Sequence, residues 1–83
     1  MAEYELTESE LQYLSAVAQN PDPVVTTMEV AGELDLTQQA VYNAFQNLEM
    51  EGLMQSKKVG SRSKVWWLTV QGRSVYAESV EEP

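Results

Sequence analysis

A helix-start pattern occurs three times in the first half of this chain, and it limits the possible folds more than any other feature. In each copy, one apolar residue precedes a threonine and another follows the threonine four positions later. The hydroxyl can cap the first helical turn, and the two apolar residues can pack together across it. The threonines are Thr7, Thr26 and Thr37, and the first two copies also carry the glutamate of a capping box. The pattern predicts three helices, over residues 8–19, 27–34 and 38–51.

After the third predicted helix, the apolar period changes from helical spacing to alternation. Gly52 suits the left-handed end of a helix. Residues 54–59 and 63–69 then predict two strands around a turn at residues 60–62, with Trp66 and Trp67 on opposite faces. Thr69 can cap a fourth helix over residues 70–79, and we expect residues 80–83 to be frayed. The sequence therefore predicts one α+β domain over residues 1–83, with a three-helix core, a two-stranded hairpin and a short C-terminal helix.

Charge is strongly sorted along the chain. The formal net charge is -8, yet all five basic residues lie between residues 57 and 73, and no acidic residue lies between 52 and 77. An acidic protein that collects its positive charge in one segment can offer that segment to an anionic partner. The other explanation is a solvated hairpin whose charges protect a strand edge.

Composition excludes several function classes. The chain has no Cys and no His, which removes disulfides, thiolate and imidazole catalysis and the usual zinc ligands. The carboxylates are spread singly, so we predict no catalytic residues, no metal site, no cofactor and no enzymatic activity. The N-terminus lacks a signal-peptide pattern and no apolar run could span a bilayer, which predicts a cytoplasmic protein that does not enter membranes. The abundance of acids resembles proteins of salt-loving microbes and predicts a halophilic archaeal source.

Residues 30–55 (VAGELDLTQQAVYNAFQNLEMEGLMQ), the hairpin, and residues 68–73 (LTVQGR) together resemble the winged helix-turn-helix transcription regulators of the MarR, ArsR and PadR-like group. The resemblance implies a helix-turn-helix over about residues 27–52, a wing over about 54–69 and a C-terminal helix over about 70–79. It implies a sequence-specific regulator that binds double-stranded DNA, with helix three in the major groove and the wing on the backbone or minor groove. It also implies a homodimer, paired through the terminal helices.

The third predicted helix can serve as a recognition helix because its polar face has no acid. Residues 37–48 contain no Asp or Glu, and Ala40 stands where the other two capping patterns have Glu. A carboxylate there would repel a phosphate that approaches the helix start. Side-chain amides on this face can pair with adenine, and wing cations can neutralise phosphates. The predicted DNA-binding residues are Thr37, Gln38, Gln39, Tyr42, Asn43, Gln46, Lys57, Lys58, Ser61, Arg62 and Lys64.

Two departures from the group's pattern keep an alternative open. The predicted recognition helix has no Arg or Lys, and Asp35 stands where the turn often has Gly. If four wing cations on each of two copies neutralise one phosphate each, the log-log salt slope of binding would be about -7. Such binding would be weak in concentrated salt. The alternative is therefore a winged-helix module that binds a protein and not DNA. A small-molecule sensor is a third possibility, but a chain of 83 residues leaves little room for a pocket outside a dimer interface.

Overall fold

The computed structural model describes residues 6–61 and 63–80. In this part of the chain, four helices and one antiparallel hairpin follow in the order α1 (Glu8–Ala18), α2 (Thr27–Leu34), α3 (Gln38–Met50), β1 (Met54–Val59), β2 (Ser63–Leu68) and α4 (Val70–Val80). This is the predicted α+β winged helix-turn-helix, and the fold prediction is confirmed. The expected fraying from residue 80 was wrong for Val80, which ends α4, whereas residues 81–83 lie outside the described residues.

Threonine caps begin the first three helices. The Thr7 hydroxyl accepts a hydrogen bond from the Glu10 backbone N–H at 3.1 Å, and the Glu10 carboxylate accepts one from the Thr7 N–H at 3.0 Å. Helix α2 begins with the same reciprocal pair. Thr37 accepts from the Ala40 N–H at 3.1 Å, but alanine has no carboxylate to return the bond. These bonds join residues three apart, so the sequence was enough to predict them.

Two left-handed residues end α2 and α3. Asp35 has φ 59° and ψ 46°, a conformation that Asp tolerates better than most residues. Gly52 has φ 83° and follows α3. The next residue, Leu53, turns back so that its N–H donates to the Leu48 carbonyl at 2.9 Å and its side chain is fully buried. The short turn between α2 and α3 brings the start of α3 to the surface as the second helix of a helix-turn-helix.

The hairpin is attached to the helices through β2. Strands β1 and β2 pair in one register, from Met54 opposite Leu68 to Val59 opposite Ser63. On its other edge, β2 forms a bridge with Val25, because the Val25 N–H donates to the Trp66 carbonyl at 2.9 Å and the Trp66 N–H donates back at 2.8 Å. The sequence analysis did not predict this bridge. It pins the base of the wing to the segment that precedes α2.

Trp66 lies at the centre of the core. Its side chain is fully buried, and its ring centroid lies 5.3 Å from that of Phe45 on α3. Among the described residues, the indole Nε1 is a buried donor without a hydrogen-bond partner, which costs about 1–3 kcal/mol. The other buried apolar side chains come from every helix and both strands: Leu14, Val17, Val25, Val30, Ala31, Val41, Leu48, Leu53, Met54, Leu68 and Val75.

Thr69 and Gly72 attach the start of α4 to the segment that follows α3. The Thr69 hydroxyl donates to the Gly52 carbonyl at 2.7 Å and accepts from the Gly72 N–H at 2.9 Å, so it caps α4 as predicted and ties it to the end of α3. A Cβ on Gly72 would overlap the backbone of Leu53. The helix therefore needs glycine at this close approach.

Farther along α4, Tyr76 joins α4 to α1. Its hydroxyl lies 3.4 Å from the Ser15 hydroxyl and accepts from the Gln19 side-chain amide at 3.1 Å. The bond with Ser15, and then the bond with Gln19, lower the pKa of the Tyr76 phenol below its ordinary value of 10.0. The side chain is thus both packed against the core and hydrogen-bonded to α1. Among the described residues, no helix is long and apolar enough to cross a membrane.

Candidate nucleic-acid interface

The exposed side of α3 is polar and carries no charge along most of its length. Gln39, Asn43 and Gln46 are exposed on the side opposite the buried Val41, Phe45 and Leu48, and Gln38 is exposed at the start of the helix beside the wing. Two hydrogen bonds order this face. The Gln39 amide donates to the Asn43 side-chain oxygen at 3.0 Å, and the Gln46 amide donates to the Tyr42 hydroxyl at 3.1 Å.

Tyr42 lies at the edge of this face and is not at its centre. The side chain is half-buried, and its ring meets Trp66 edge-on with the centroids 5.9 Å apart. The ring therefore packs between α3 and the hairpin. Its hydroxyl accepts from Gln46 and can still donate one hydrogen bond outward.

Strand alternation divides the wing lysines between two faces. Lys58 and Lys64 are directly opposite each other in the β1–β2 pair, on the face that also carries Trp66 and is turned toward α3. Lys57 pairs with Val65 on the other face, together with Trp67. Arg62, predicted as a DNA contact, lies outside the described residues, and its neighbour Ser61 is exposed in the turn.

Lys64 is held by aromatic rings. Its ammonium nitrogen lies 5.6 Å from the centroid of the Tyr42 ring and 5.2 Å from that of the Trp66 ring. A cation over an aromatic face gains about 0.5–1 kcal/mol at an exposed site and more where water is excluded. The side chain is half-buried, so this cation lies in a defined place beside α3. Directly opposite like charges are unfavourable in a sheet, so the Lys58–Lys64 pair has no evident structural benefit.

A cleft separates the start of α3 from the wing. It has a volume of about 380 Å³. Among the described residues, its lining has two lysines and no acid, in a chain whose net charge is -8. Its lining residues are Thr27, Gln38, Gln39, Tyr42, Lys58, Ser61, Ser63, Lys64 and Trp66.

The basic residues that the structure describes are not neutralised by ion pairs. Over residues 6–61 and 63–80, no Lys or Arg forms an ion pair with a carboxylate. Glu49, near the end of α3, is bonded to the base of the hairpin and not to its cations: its carboxylate accepts from the Ser56 hydroxyl at 3.0 Å. Lys57, Lys58 and Lys64 therefore remain available to an external anion.

The start of α3 provides further hydrogen-bond donors beside the cleft. The first N–H groups of a helix have no partner inside the helix, and they favour anions. At α1 and α2 a glutamate occupies this position, but α3 has no acid in its first turn. Thr37 is exposed there, with its hydroxyl directed at the Ala40 N–H.

The structure thus places the predicted site residues in three groups. Six lie together in the cleft, and Thr37, Asn43 and Gln46 extend the same surface along α3, whereas Lys57 is on the far side of the wing. Sequence analysis missed Thr27 and Ser63, which line the cleft. Thr27 follows the Thr26 cap, and only the tertiary structure shows that the start of α2 borders the wing. The six are Gln38, Gln39, Tyr42, Lys58, Ser61 and Lys64.

The fold that carries this cleft is a winged helix-turn-helix, and solved structures with the same fold are similar to this chain. The chain is similar to the zinc-responsive MarR family member ZitR of Lactococcus lactis, with 24% identity and a TM-score of 0.77 over 96% of this chain and 55% of that one. It is similar to FabT of Streptococcus pneumoniae, solved in complex with DNA, with 23% identity and a TM-score of 0.80 over 93% of this chain and 54% of that one.

A third similar structure is BpsR of Bordetella bronchiseptica, whose DNA binding is regulated by 6-hydroxynicotinic acid. The identity is 19% and the TM-score 0.83, over 98% of this chain and 61% of that one. This chain therefore spans little more than half the length of these proteins. At these identities the likeness establishes the fold. No protein-family model matches the sequence, and comparison with curated proteins gave no match.

Proposed function

We propose that this protein is a transcriptional regulator that binds specific sequences in double-stranded DNA, with α3 in the major groove and the wing on the backbone or minor groove. One observation carries the proposal: Lys58 and Lys64 face the acid-free side of α3 and have no carboxylate partner. Together they form one surface suited to a polyanion. The winged-helix fold, and the solved complex of the similar FabT with DNA, support the same function.

The residues of this surface have different tasks in the proposed complex. The amides of Gln38, Gln39, Asn43 and Gln46 face base edges, where they can donate and accept at once. Lys58 and Lys64 neutralise phosphates, and Lys64 enters the complex already placed by Tyr42 and Trp66. Thr37, Ser61 and the first N–H groups of α3 donate to phosphates as neutral groups. Lys57 and Arg62 make further contacts from the wing.

We also propose that the chain forms one domain and acts as a homodimer on a two-fold DNA site, in a salt-rich cytoplasm. A two-fold pair would place its recognition helices about 34–36 Å apart, one turn of the duplex. The acidic composition supports the salt-rich setting. Sedimentation velocity of the protein, free and on a long duplex, checks this proposal. A free monomer that also binds DNA as one copy per site would contradict it.

The experiment that tests DNA binding is a titration of a fluorescent duplex across a KCl series. A pool of randomised 40-bp duplexes serves as the probe, followed by any duplex enriched from it. Each phosphate contact contributes about -0.9 to the log-log salt slope. We therefore expect the double variant Lys58→Ala, Lys64→Ala to bind more weakly and to flatten the slope by about 1.8 for each bound chain.

Arg73→Ala is the control for loss of positive charge outside the cleft, and it is matched in charge to the single variant Lys58→Ala. We expect its slope to equal that of the wild type. Lys57→Ala should have a smaller effect than Lys58→Ala, since Lys57 lies on the other face of the wing. If no duplex binds even at about 50 mM salt, the DNA proposal is wrong and the protein-interaction alternative takes its place.

A further inference from the structure

One pair of side chains on the exposed face of α3 is already joined before any partner binds. The Gln39 side-chain N–H donates to the Asn43 side-chain oxygen at 3.0 Å, and both residues are exposed. They are four residues apart, which places them on adjacent turns of one helix face. This bond orders the Asn43 amide and directs its oxygen toward the start of the helix.

Among the polar side chains of α3, Asn43 projects most nearly away from the core. At 100° per residue, it lies about 165° around the helix from the mean direction of Val41, Phe45 and Leu48. Tyr42 lies only about 95° from that direction, toward the wing. If α3 enters a groove with its core face turned away, Asn43 meets the floor of the groove before Tyr42 does.

The remaining hydrogen-bond capacity of Asn43 matches one base. Accepting one bond from Gln39 leaves its amide oxygen a second lone pair and leaves both of its N–H donors unused. Adenine shows one donor and one acceptor side by side in the major groove, at N6 and N7. Gln46 is less suited to this role, because it lies only about 135° around the helix from the mean direction of the core residues and its amide is bonded to the Tyr42 hydroxyl.

We propose that Asn43 is the residue that selects adenine in the DNA site, and that Gln39 is the positioning residue that fixes its amide. This inference rests on the proposed function, since it assigns the base that the same surface recognises. A well-placed bidentate pair of this kind discriminates by about 5- to 150-fold between the right and wrong base. We expect one adenine position in each half-site to depend on Asn43.

The test is selection of bound duplexes from a randomised pool, performed with the wild-type chain and with Asn43→Asp. The substitution preserves size and the oxygen that accepts from Gln39, but it replaces the donor by an acceptor. Asp accepts from the N4 amino group of cytosine, so the preferred base at one position of each half-site should change from adenine to cytosine. Asn47→Asp is the control, because it adds the same charge one turn farther along α3.

A second variant, Gln39→Met, keeps the side-chain length and removes the donor. We expect it to lower the preference for adenine several-fold and to weaken binding to unrelated duplex by a smaller factor. Circular dichroism of each variant checks that the fold is intact. A purely structural role of Gln39 would lower both kinds of binding by the same factor, which overturns its assignment as a positioning residue.

The two proposals fail in different ways. If the wild-type chain enriches a motif that Asn43→Asp leaves unchanged, the adenine assignment is wrong and DNA binding stands. If Asn47→Asp changes the same base position, the assignment is also wrong. If the wild-type chain enriches no motif, the proposed sequence-specific function fails, and the adenine assignment fails with it.

Discussion

Gly72 is the residue at which α4 comes closest to the rest of the molecule. A Cβ built there would lie 2.9 Å from the Leu53 carbonyl carbon and closer still to its oxygen. Leu53 cannot easily move, because its N–H donates to the Leu48 carbonyl and its own carbonyl accepts from the Thr69 N–H at 3.1 Å. The Leu-Thr-x-x-Gly segment therefore joins a helix cap to a backbone contact that only glycine allows.

At this residue scale we predict that Gly72→Ala lowers the free energy of unfolding by about 3 kcal/mol, since overpacking against fixed backbone is costly. Urea unfolding followed by tryptophan fluorescence measures the change. The control is Gly32→Ala in α2, where an added Cβ meets nothing within 4 Å. That variant should gain about 0.5–1 kcal/mol, because alanine is the better helix former. Equal stability of the two variants would contradict the close approach.

Among the elements, α3 differs from α1 and α2 at its first turn. All three helices begin with a threonine cap, but only α1 and α2 complete it with a glutamate. The incomplete cap leaves the first N–H groups of α3 without an acidic neighbour. We infer that α3 forgoes a small gain in stability and keeps an end that a phosphate can approach.

The absence of a glutamate from the first turn of α3 predicts that Ala40→Glu has opposite effects on stability and on DNA binding. The new carboxylate can complete the capping box with Thr37, which should raise the free energy of unfolding by about 0.3–1 kcal/mol. The same charge should weaken duplex binding, as measured by fluorescence anisotropy. Ala40→Gln is the matched control, because it can form the same bond without charge and should bind duplex more tightly than Ala40→Glu does. If Ala40→Glu retains wild-type affinity, no phosphate approaches the start of α3.

Across the whole molecule, charge sorting has an energetic cost. Ten acidic residues lie before residue 52 and none lies between 52 and 77. No described Lys or Arg pairs with a carboxylate, so repulsion among the acids is not relieved by ion pairs there. Salt screens such repulsion, since the Debye length falls from about 10 Å at 0.1 M to about 3 Å at 1 M.

We therefore predict that stability and DNA affinity respond to salt in opposite directions. Raising KCl from about 0.05 to 1 M should increase the melting temperature by at least about 4 °C, equivalent to about 1 kcal/mol. Duplex affinity should fall over the same range. A variant with Asp22→Asn, Glu33→Gln and Glu78→Gln removes three exposed negative charges, which takes the net charge from -8 to -5. Its melting temperature should respond less to KCl. Identical responses of the two proteins would show that charge repulsion does not limit stability.

The amino-acid sequence by itself determined the helix starts, the left-handed Asp35 and Gly52, and the division of Trp66 and Trp67 between two faces. These features depend on residues at most four positions apart, or on the two-residue period of a strand. The physical cause of each feature therefore lies within the few residues around it.

Only the tertiary structure decided which face of the wing meets α3. The bridge from Val25 to Trp66 and the packing of Trp66 on Phe45 set that face, and they place Lys64 over Tyr42 while Lys57 is turned away. Residues that are far apart in the chain make these contacts. These contacts form only when the whole core packs, because many side chains must fit one volume at once. No local sequence pattern specifies which of them meet.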